Sequence, residues 1–362
     1  MKESISDIHV SMIGIATKTE MTGIYQILLG IGSAAICAAL LSYIVPMLDS
    51  YSIVDLPGKR TNHSHRIPRG GGLAIMPAIL AAWGFSGYML PSDHGFANLQ
   101  ISIFMTAFLF GVSFVDDIRT LSAGVRIATH IAAVMFVLVL APVGWRIFPE
   151  YIPAEFERIV LGVCWIWFIN LTNFMDGIDG ITGVEVIGIT AGIVLVGLVH
   201  GSLPIVTMSL SIIVLAAFAA FLFWNWAPAK IFLGDSGSIP TGFIVFGLLI
   251  DLAGSGYAAA AIVLPAYYVV DATATLLLRL MVGERIWEAH STHAYQLAVR
   301  RSVPHSRVSG IVAISNAFLI LLGIISFWLP LFSIILAYIL AGMIYSSFVF
   351  GWLDRFIASS AN

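Results

Sequence analysis

The 362-residue sequence predicts an all-α polytopic membrane protein of about eleven transmembrane helices, on three observations. Hydrophobic residues make up 59% of the chain and charged residues only 10%, where ordinary soluble domains carry about 25% charged residues. Mean hydropathy is +0.97, so a water-facing globule would be coated with apolar side chains. The scarce charges leave uncharged stretches that are mostly the length of one helical crossing, roughly 20 residues. Those stretches are continuous and do not alternate, which excludes a β-barrel. A net charge of -3 excludes a nucleic-acid binder driven by positive charge. The two cysteines, Cys37 and Cys164, both lie in apolar stretches, so neither a disulfide framework nor a CxxC metal site is available.

The spans can be taken in order. Residues 1–20 read as a short polar leader without a signal-peptide pattern, since the apolar run behind them is too long for an h-region. Single spans follow at Met21 to Leu48, Gly70 to Ser92, Gly95 to Val115, Ile127 to Trp145 and Ile159 to Met175. Val186 to Ala229 is long enough for two, turning at His200-Gly201-Ser202-Leu203-Pro204, where Gly and Pro break a helix. Ser236 to Ile250 and Leu252 to Val270 are the eighth and ninth. Val308 to Leu353 holds the last two, with its turn at Trp328-Leu329-Pro330. With no internal repeat and no loop large enough to fold alone, residues 1–362 read as one transmembrane domain, its polar loops at about 49–69, 116–126, 173–183, 224–238 and 281–307.

An odd number of spans puts the termini on opposite sides, and the positive-inside rule chooses which. Thirteen of the 17 Lys and Arg residues fall on the side of those polar loops, against four, Lys2, Lys18, Arg146 and Arg158, on the other. The N-terminus is therefore expected in the periplasm and the C-terminus in the cytoplasm.

The polar clusters share the cytoplasmic side. The first runs from Val54 to Gly72 and combines Lys59, Arg60, His63, His65, Arg66 and Arg69 with Gly70-Gly71-Gly72, whose bare backbone N–H groups could approach an anion. Its composition also suits a polybasic loop against lipid head groups. Asp116-Asp117 ends the third span with Arg119 and Arg126 close behind, and two adjacent acids near an interface need a cation beside them or else act as a solvated cap. The run Asn170 to Gly183 holds Asn173, Asp176 and Asp179, the two acids sharing a face if the turn is helical. Its glycines also suit a plain turn. Asp235, in Phe232-Leu233-Gly234-Asp235-Ser236-Gly237-Ser238, reads alone as an N-cap. The last loop carries Arg285, Glu288, His290, His293, Arg300 and Arg301. Its two histidines suit phosphate contact better than zinc, and a merely solvated basic loop is the alternative. Asp271 lies inside the ninth span, where a carboxylate is a functional candidate by default, while Asp251 reads as reaching the interface. Trp224 and Trp226 suit an interfacial belt or core.

Five aspartates, Asp116, Asp117, Asp176, Asp179 and Asp235, thus converge with Arg, Lys and His on one membrane face. Carboxylates cannot approach a phosphate unaided, so a hard cation such as Mg²⁺ should bridge them while Arg and His neutralise the rest. The location calls for a cytosolic phosphate substrate meeting a lipid one.

These segments, with Pro68-Arg69-Gly70-Gly71-Gly72, stand in the order that resembles the polyprenyl-phosphate N-acetylhexosamine-1-phosphate transferase family, glycosyltransferase family 4 in type, from roughly Asp55 to Arg307. The resemblance implies a ten- or eleven-helix protein of the bacterial inner membrane. It implies transfer of a sugar 1-phosphate from a UDP-N-acetylamino sugar to undecaprenyl phosphate, releasing UMP and depending on Mg²⁺ or Mn²⁺. Homodimers are common in the family. By position Asp235 resembles the metal-binding aspartate, with Asp117 helping to hold the metal, and Asp116 resembles the acid that deprotonates or positions the lipid phosphate. Asn173, Asp176 and Asp179 match the nucleotide-side motif. His290, His293 and Arg301 fall in the loop that contacts sugar or pyrophosphate, and Arg60, His63, Arg69 and Arg126 complete the substrate-binding set.

The triple-histidine loop of the muramyl-pentapeptide branch is missing, which speaks against a peptidoglycan role. The form Ala289-His290-Ser291-Thr292-His293-Ala294-Tyr295-Gln296 resembles instead the O-antigen initiators that use 6-deoxy sugars such as UDP-FucNAc or UDP-QuiNAc. Two other classes stay open. An ion- or proton-coupled secondary transporter predicts ionisable groups near the bilayer midplane, where only Asp271 and Asp251 qualify. A membrane scaffold explains the spans but not the gathered aspartates.

Overall fold

The computed structural model describes residues 4–50, 54–55, 66–89, 99–142, 145–148, 150–201, 203–285 and 290–360, with the side chains of 4–22, 54–55 and 351–360 left aside. Thirteen α-helices are formed among the described residues: α1 Ser4–Ser50, α2 Gly72–Met89, α3 Leu99–Ile118, α4 Ala123–Leu140, α5 Ala154–Met175, α6 Ile181–His200, α7 Ile205–Asn225, α8 Asp235–Leu252, α9 Ala258–Val263, α10 Ala266–Met281, α11 Ala294–Arg300, α12 His305–Ile325 and α13 Pro330–Ser360. A two-residue hairpin, β1 Val54–Asp55 against β2 Ile67–Pro68, pairs Val54 with Pro68 antiparallel. The chain is an all-α polytopic membrane protein. Among the described residues ten helices are long and apolar enough to cross a membrane, the eighth of them running Asp235–Val263.

The helix ends follow from local chemistry. Pro153, Pro204 and Pro304 each stand just before a first helical residue, where the missing N–H costs nothing. Gly201 ends α6 at φ 73° and forms the expected turn before α7, and α13 begins at Pro330 as expected. The fifth span starts earlier than the charge pattern predicts. It takes in Glu155, Glu157 and Arg158 because Glu157 is neutralised where it lies: its carboxylate accepts from Arg146 Nε at 3.0 Å and from the backbone of Ile147 at 2.5 Å.

The ninth span differs most. Leu252 to Val270 is not one helix: the chain passes from α8 through a π-turn, Ala253–Tyr257, reverses at Gly256 (φ 96°), and returns as α9 and α10, interrupted at Leu264-Pro265. Glycine tolerates that φ at no steric cost, and proline cannot continue the hydrogen-bond ladder. The reversal lies at the end of the bundle opposite the polar loops, where Tyr257 stacks with His200 at 5.5 Å and Phe327 lies 6.0 Å away. Asp251 does not reach an interface there. It is 6% exposed and accepts from Trp145 Nε1 and Thr207 Oγ1, both at 2.9 Å. Gln26, near the start of the crossing Gly23–Ser50 within α1, donates to Ser209 Oγ at this same end, whereas Arg301 meets Phe348 and Val349 of α13 at the polar end. Gln26 of α1 and the Phe348–Val349 turn of α13 therefore lie at opposite ends of the bundle.

In the core, α7 packs between α1 and α6, α8 between α3 and α5, and α12 on α6. α6 and α8 are the most enclosed, and both start at the polar end. An apolar cavity of about 400 Å³ lies between α5, α8, α9, α10 and α13, lined by residues that include Cys164, Trp167, Phe246 and Tyr338.

Candidate active site

The site is assembled at the start of α8. Gly234 (φ 77°) turns the chain so that Asp235 is the first helical residue, not the cap. The capping comes from another helix: Asp117 of α3 accepts the backbone N–H of Asp235 at 3.0 Å and of Ser236 at 2.9 Å. A carboxylate is favoured at this positive end of the helix. Arg69 bridges the two acids, Nε 3.3 Å from Asp117 and Nη2 2.6 Å from Asp235. Asn173, in the last turn of α5, donates through Nδ2 to Asp235 at 3.1 Å and to Ser238 Oγ at 2.9 Å. Arg126 of α4 stands 3.6 Å from Asp116 and 4.0 Å from Asp235. Asp116 itself is buried and accepts the Leu121 N–H at 2.6 Å, closing the turn between α3 and α4.

Asp176 follows the end of α5 and accepts from Thr182 Oγ1 at 2.7 Å. Burial pushes its carboxyl up to about 7. The Thr182 bond and Arg69 oppose the rise, and Asp235 and Asp117 add to it. Asp179 does not share a face with Asp176, because α5 ends at Met175 and Gly180 (φ 78°) turns the chain. Asp179 ties the loop down instead, accepting the Ala229 N–H at 3.0 Å and pairing with His305 Nδ1 at 3.0 Å.

The glycine run does not offer its N–H groups to an anion. Gly70 and Gly71 donate to Phe232 O at 3.1 and 2.8 Å, and Gly72 donates to Leu233 O at 2.9 Å. The glycines serve close approach: a Cβ on Gly72 would lie 2.4 Å from the Gly237 nitrogen. That contact is what brings Arg69 to the start of α8. Arg60 and His63 lie outside the described residues.

The last loop packs beside the Asn170–Gly183 segment. Tyr295 donates its hydroxyl to Phe174 O at 2.9 Å, and the His293 ring stacks on Phe174 with centroids 6.2 Å apart. His293 is 2% exposed and faces Asp271, its Nδ1 3.4 Å from the carboxylate. His290 lies against His293 with ring centroids 4.9 Å apart. Burial first, then His293 and Arg279, push His290 down to about 4, so near neutral pH it can hydrogen-bond a phosphate but brings no charge. Arg301 is turned away, donating to the backbone oxygens of Phe348 and Val349. Asp271 does not stand free in the bundle. It accepts the N–H groups of Ala294 at 3.0 Å and Tyr295 at 3.2 Å, and so caps α11.

The donors present fit a hard divalent cation. They are carboxylate oxygens, and Asp235 Oδ2 stands 4.0 Å from Arg126 Nη1. No three of His, Cys, Asp and Glu among the described residues gather closely enough to hold a metal by themselves. Mg²⁺ commonly takes one or two carboxylates and completes its shell with substrate phosphates and water.

Comparison with known proteins matches residues 99–253 to the family described as glycosyl transferase family 4. That stretch contains Asp116, Asp117, Arg126, Asn173, Asp176, Asp179 and Asp235, hence most of the cluster at the head of α8. Over that stretch the chain is similar to glycosyl transferase family 4. Arg69 and the histidine loop lie outside the stretch that defines this glycosyl transferase family 4 match, although the geometry joins both to it. The chain is 28% identical over 299 residues, 78% of its length and 80% of the relative's, to a probable undecaprenyl-phosphate N-acetylglucosaminyl 1-phosphate transferase of Bacillus subtilis (strain 168). It is 29% identical over 289 residues, 67% of this chain and 79% of the relative, to a phospho-N-acetylmuramoyl-pentapeptide-transferase of Mycobacterium leprae (strain TN). A third relative, undecaprenyl-phosphate alpha-N-acetylglucosaminyl 1-phosphate transferase of Thermotoga maritima, is 26% identical over 255 residues, 68% of this chain and 73% of the relative. Identity alone does not separate the two sugar branches.

Sequence reasoning missed Thr182, Ser238 and His305, which hold the acids in place, because hydroxyls and a lone histidine near a helix start carry no motif of their own. It also missed Glu185, which sits on the edge of an uncharged stretch.

Proposed function

We propose that this chain transfers an N-acetylamino-sugar 1-phosphate from a UDP-sugar to undecaprenyl phosphate at the cytoplasmic face of a bacterial inner membrane. It releases UMP and starts O-antigen or another cell-surface polysaccharide. The observation that carries this reading is the head of α8, where Asp235 is met by Arg69, Asp117 and Asn173 from three other segments. The names of the relatives support it, as does the oxygen-rich donor set. The His290 to Gln296 sequence supports a 6-deoxy donor such as UDP-FucNAc or UDP-QuiNAc. The many cations at the polar end support the reading that it faces the cytoplasm.

In this reading an oxygen of the lipid phosphate attacks the β-phosphorus of the UDP-sugar. The new bond is P–O–P to the lipid, the bond to the oxygen bridging to the α-phosphorus breaks, and UMP leaves with that oxygen. One pyrophosphate replaces another, so catalysis is positioning and charge neutralisation. Asp116, with Arg126 beside it, positions the lipid phosphate or takes its proton. Arg69 and Arg126 offset charge on the pyrophosphate, and Asn173 orients Asp235. Mg²⁺ or Mn²⁺, held by Asp235 and Asp117, would neutralise the phosphates when bound.

The test is UMP release by purified protein in detergent with undecaprenyl phosphate, Mg²⁺ and a panel of UDP-GlcNAc, UDP-GalNAc, UDP-FucNAc and UDP-QuiNAc. Release should require lipid and metal, stop with EDTA, and fall at least about a hundredfold in Asp235→Asn. Wild-type turnover in Asp235→Asn would refute the metal assignment, and no UMP from any donor would refute the reaction.

A further inference from the structure

Asp176 lies past the end of α5, on the turn over residues 176–180, where no helix fixes its side chain. Two tyrosines from other helices close on it from either side. On one side the Tyr268 hydroxyl of α10 donates to Thr182 Oγ1 at 3.2 Å, and Thr182 donates to Asp176 at 2.7 Å. The end of this chain sets its direction. An ionised carboxylate only accepts, so the Thr182 proton goes to Asp176 and the Thr182 oxygen is left to accept from Tyr268. Hydrogen bonds that run the same way polarise and strengthen one another. On the other side the Tyr295 hydroxyl of α11 donates to Phe174 O at 2.9 Å, two residues before Asp176. Gly177, the residue after Asp176, makes the room: a Cβ there would overlap the Tyr295 hydroxyl.

The two tyrosines belong to one unit. Tyr268 stands three residues before Asp271 on α10, and Asp271 accepts the backbone N–H groups of Ala294 and Tyr295 at 3.0 and 3.2 Å. Tyr267 donates its hydroxyl to the same carboxylate at 3.2 Å. Both Tyr268 and Tyr295 are fully buried, where a hydroxyl is costly unless it is paired, and each is paired with the protein itself.

We propose that Tyr268 and Tyr295 are positioning residues: their hydroxyls hold Asp176 between Thr182 and Phe174, and Asp271 keeps the two in register. The assignment rests on the transfer reading of the site. It gives the histidine loop a second task, because α11 follows His293 directly and carries Tyr295. Removing either hydroxyl leaves its ring in place and frees Asp176 to swing, so the loss falls on turnover while the fold stands.

The experiment measures kcat/KM for UMP release in Tyr268→Phe, Tyr295→Phe and Thr182→Val, singly and in pairs, with hydrogen–deuterium exchange of residues 174–180 in each. Either tyrosine variant should lose about fivefold, the worth of one hydrogen bond, and exchange in the turn should quicken. Because Tyr268 acts through Thr182, Tyr268→Phe should add nothing on top of Thr182→Val, while Tyr295→Phe should multiply with either. Thr182→Ser keeps the hydroxyl and should stay within about twofold of wild type. A general loss of packing would instead make Tyr268→Phe multiply with Thr182→Val. That outcome would overturn the proposal, as would wild-type kcat/KM in both tyrosine variants. Should the wild type release no UMP, the transfer reading fails by itself and exchange decides the hold on the turn: quickening in both tyrosine variants sustains it, and wild-type exchange overturns it.

Discussion

At the level of single residues, the site sorts its acids by surroundings. Asp117 accepts two backbone N–H groups and also meets Arg69 beside Asp235, while Asp179 is spent on a backbone N–H and His305, and Asp271 on the start of α11. Asp235 and Asp176 remain directed at the cluster. Because burial lifts Asp176 to about 7, the group is neutral below that pH and charged above it, and kcat/KM should climb through about pH 7 if the carboxylate is the working form. His290, pushed down to about 4, adds no step in the same range. Thr182→Val removes a bond that favours the charged form, so the step should move to higher pH. Asp176→Asn should abolish it. A step of unchanged position in Asp176→Asn would assign the titration elsewhere. The sequence made Asp116, Asp117 and Asp235 legible because adjacent or isolated acids at span ends stand out. The division of labour among them was not legible, because it depends on which backbone N–H groups another helix brings within 3 Å.

Among the elements, the glycine run shows how a motif can be noticed for one reason and used for another. Three glycines beside arginine read as an anion cradle, yet their N–H groups are consumed by Phe232 and Leu233. Their role is the absence of side chains where α2 starts against α8. Gly72→Ala would set a methyl 2.5 Å from the Ser236 carbonyl carbon and 2.4 Å from the Gly237 nitrogen, both backbone atoms that cannot swing aside. Thermal unfolding in detergent should report a loss of about 1–3 kcal/mol, with activity falling as Arg69 is displaced. Gly84→Ala, on the same helix with nothing within 4 Å of its added carbon, should be close to neutral. The ninth span was misplaced for a related reason. Hydropathy sees only the absence of charge from Leu252 to Val270, while the reversal is decided by Gly256 and Pro265.

Across the whole molecule, the alternation of charge-free stretches located most crossings to within a few residues, since the bilayer imposes one length on every helix. What it could not supply is the set of cross-helix ties that join distant segments: Arg69 to Asp235, Asn173 to Asp235, and Asp117 to the start of α8. These ties also impose a schedule on synthesis. Asp117 precedes Asp235 by 118 residues, so at about 5–20 residues per second its carboxylate waits roughly 6–24 s before the N–H groups that will cap it exist. Arg69, already made, is the partner available meanwhile. Pulse–chase labelling should accordingly find Arg69→Gln chains degraded soon after insertion and Asp235→Asn chains as long-lived as wild type. On that outcome, the arginine that bridges two acids in the folded chain would have met Asp117 first and Asp235 only later.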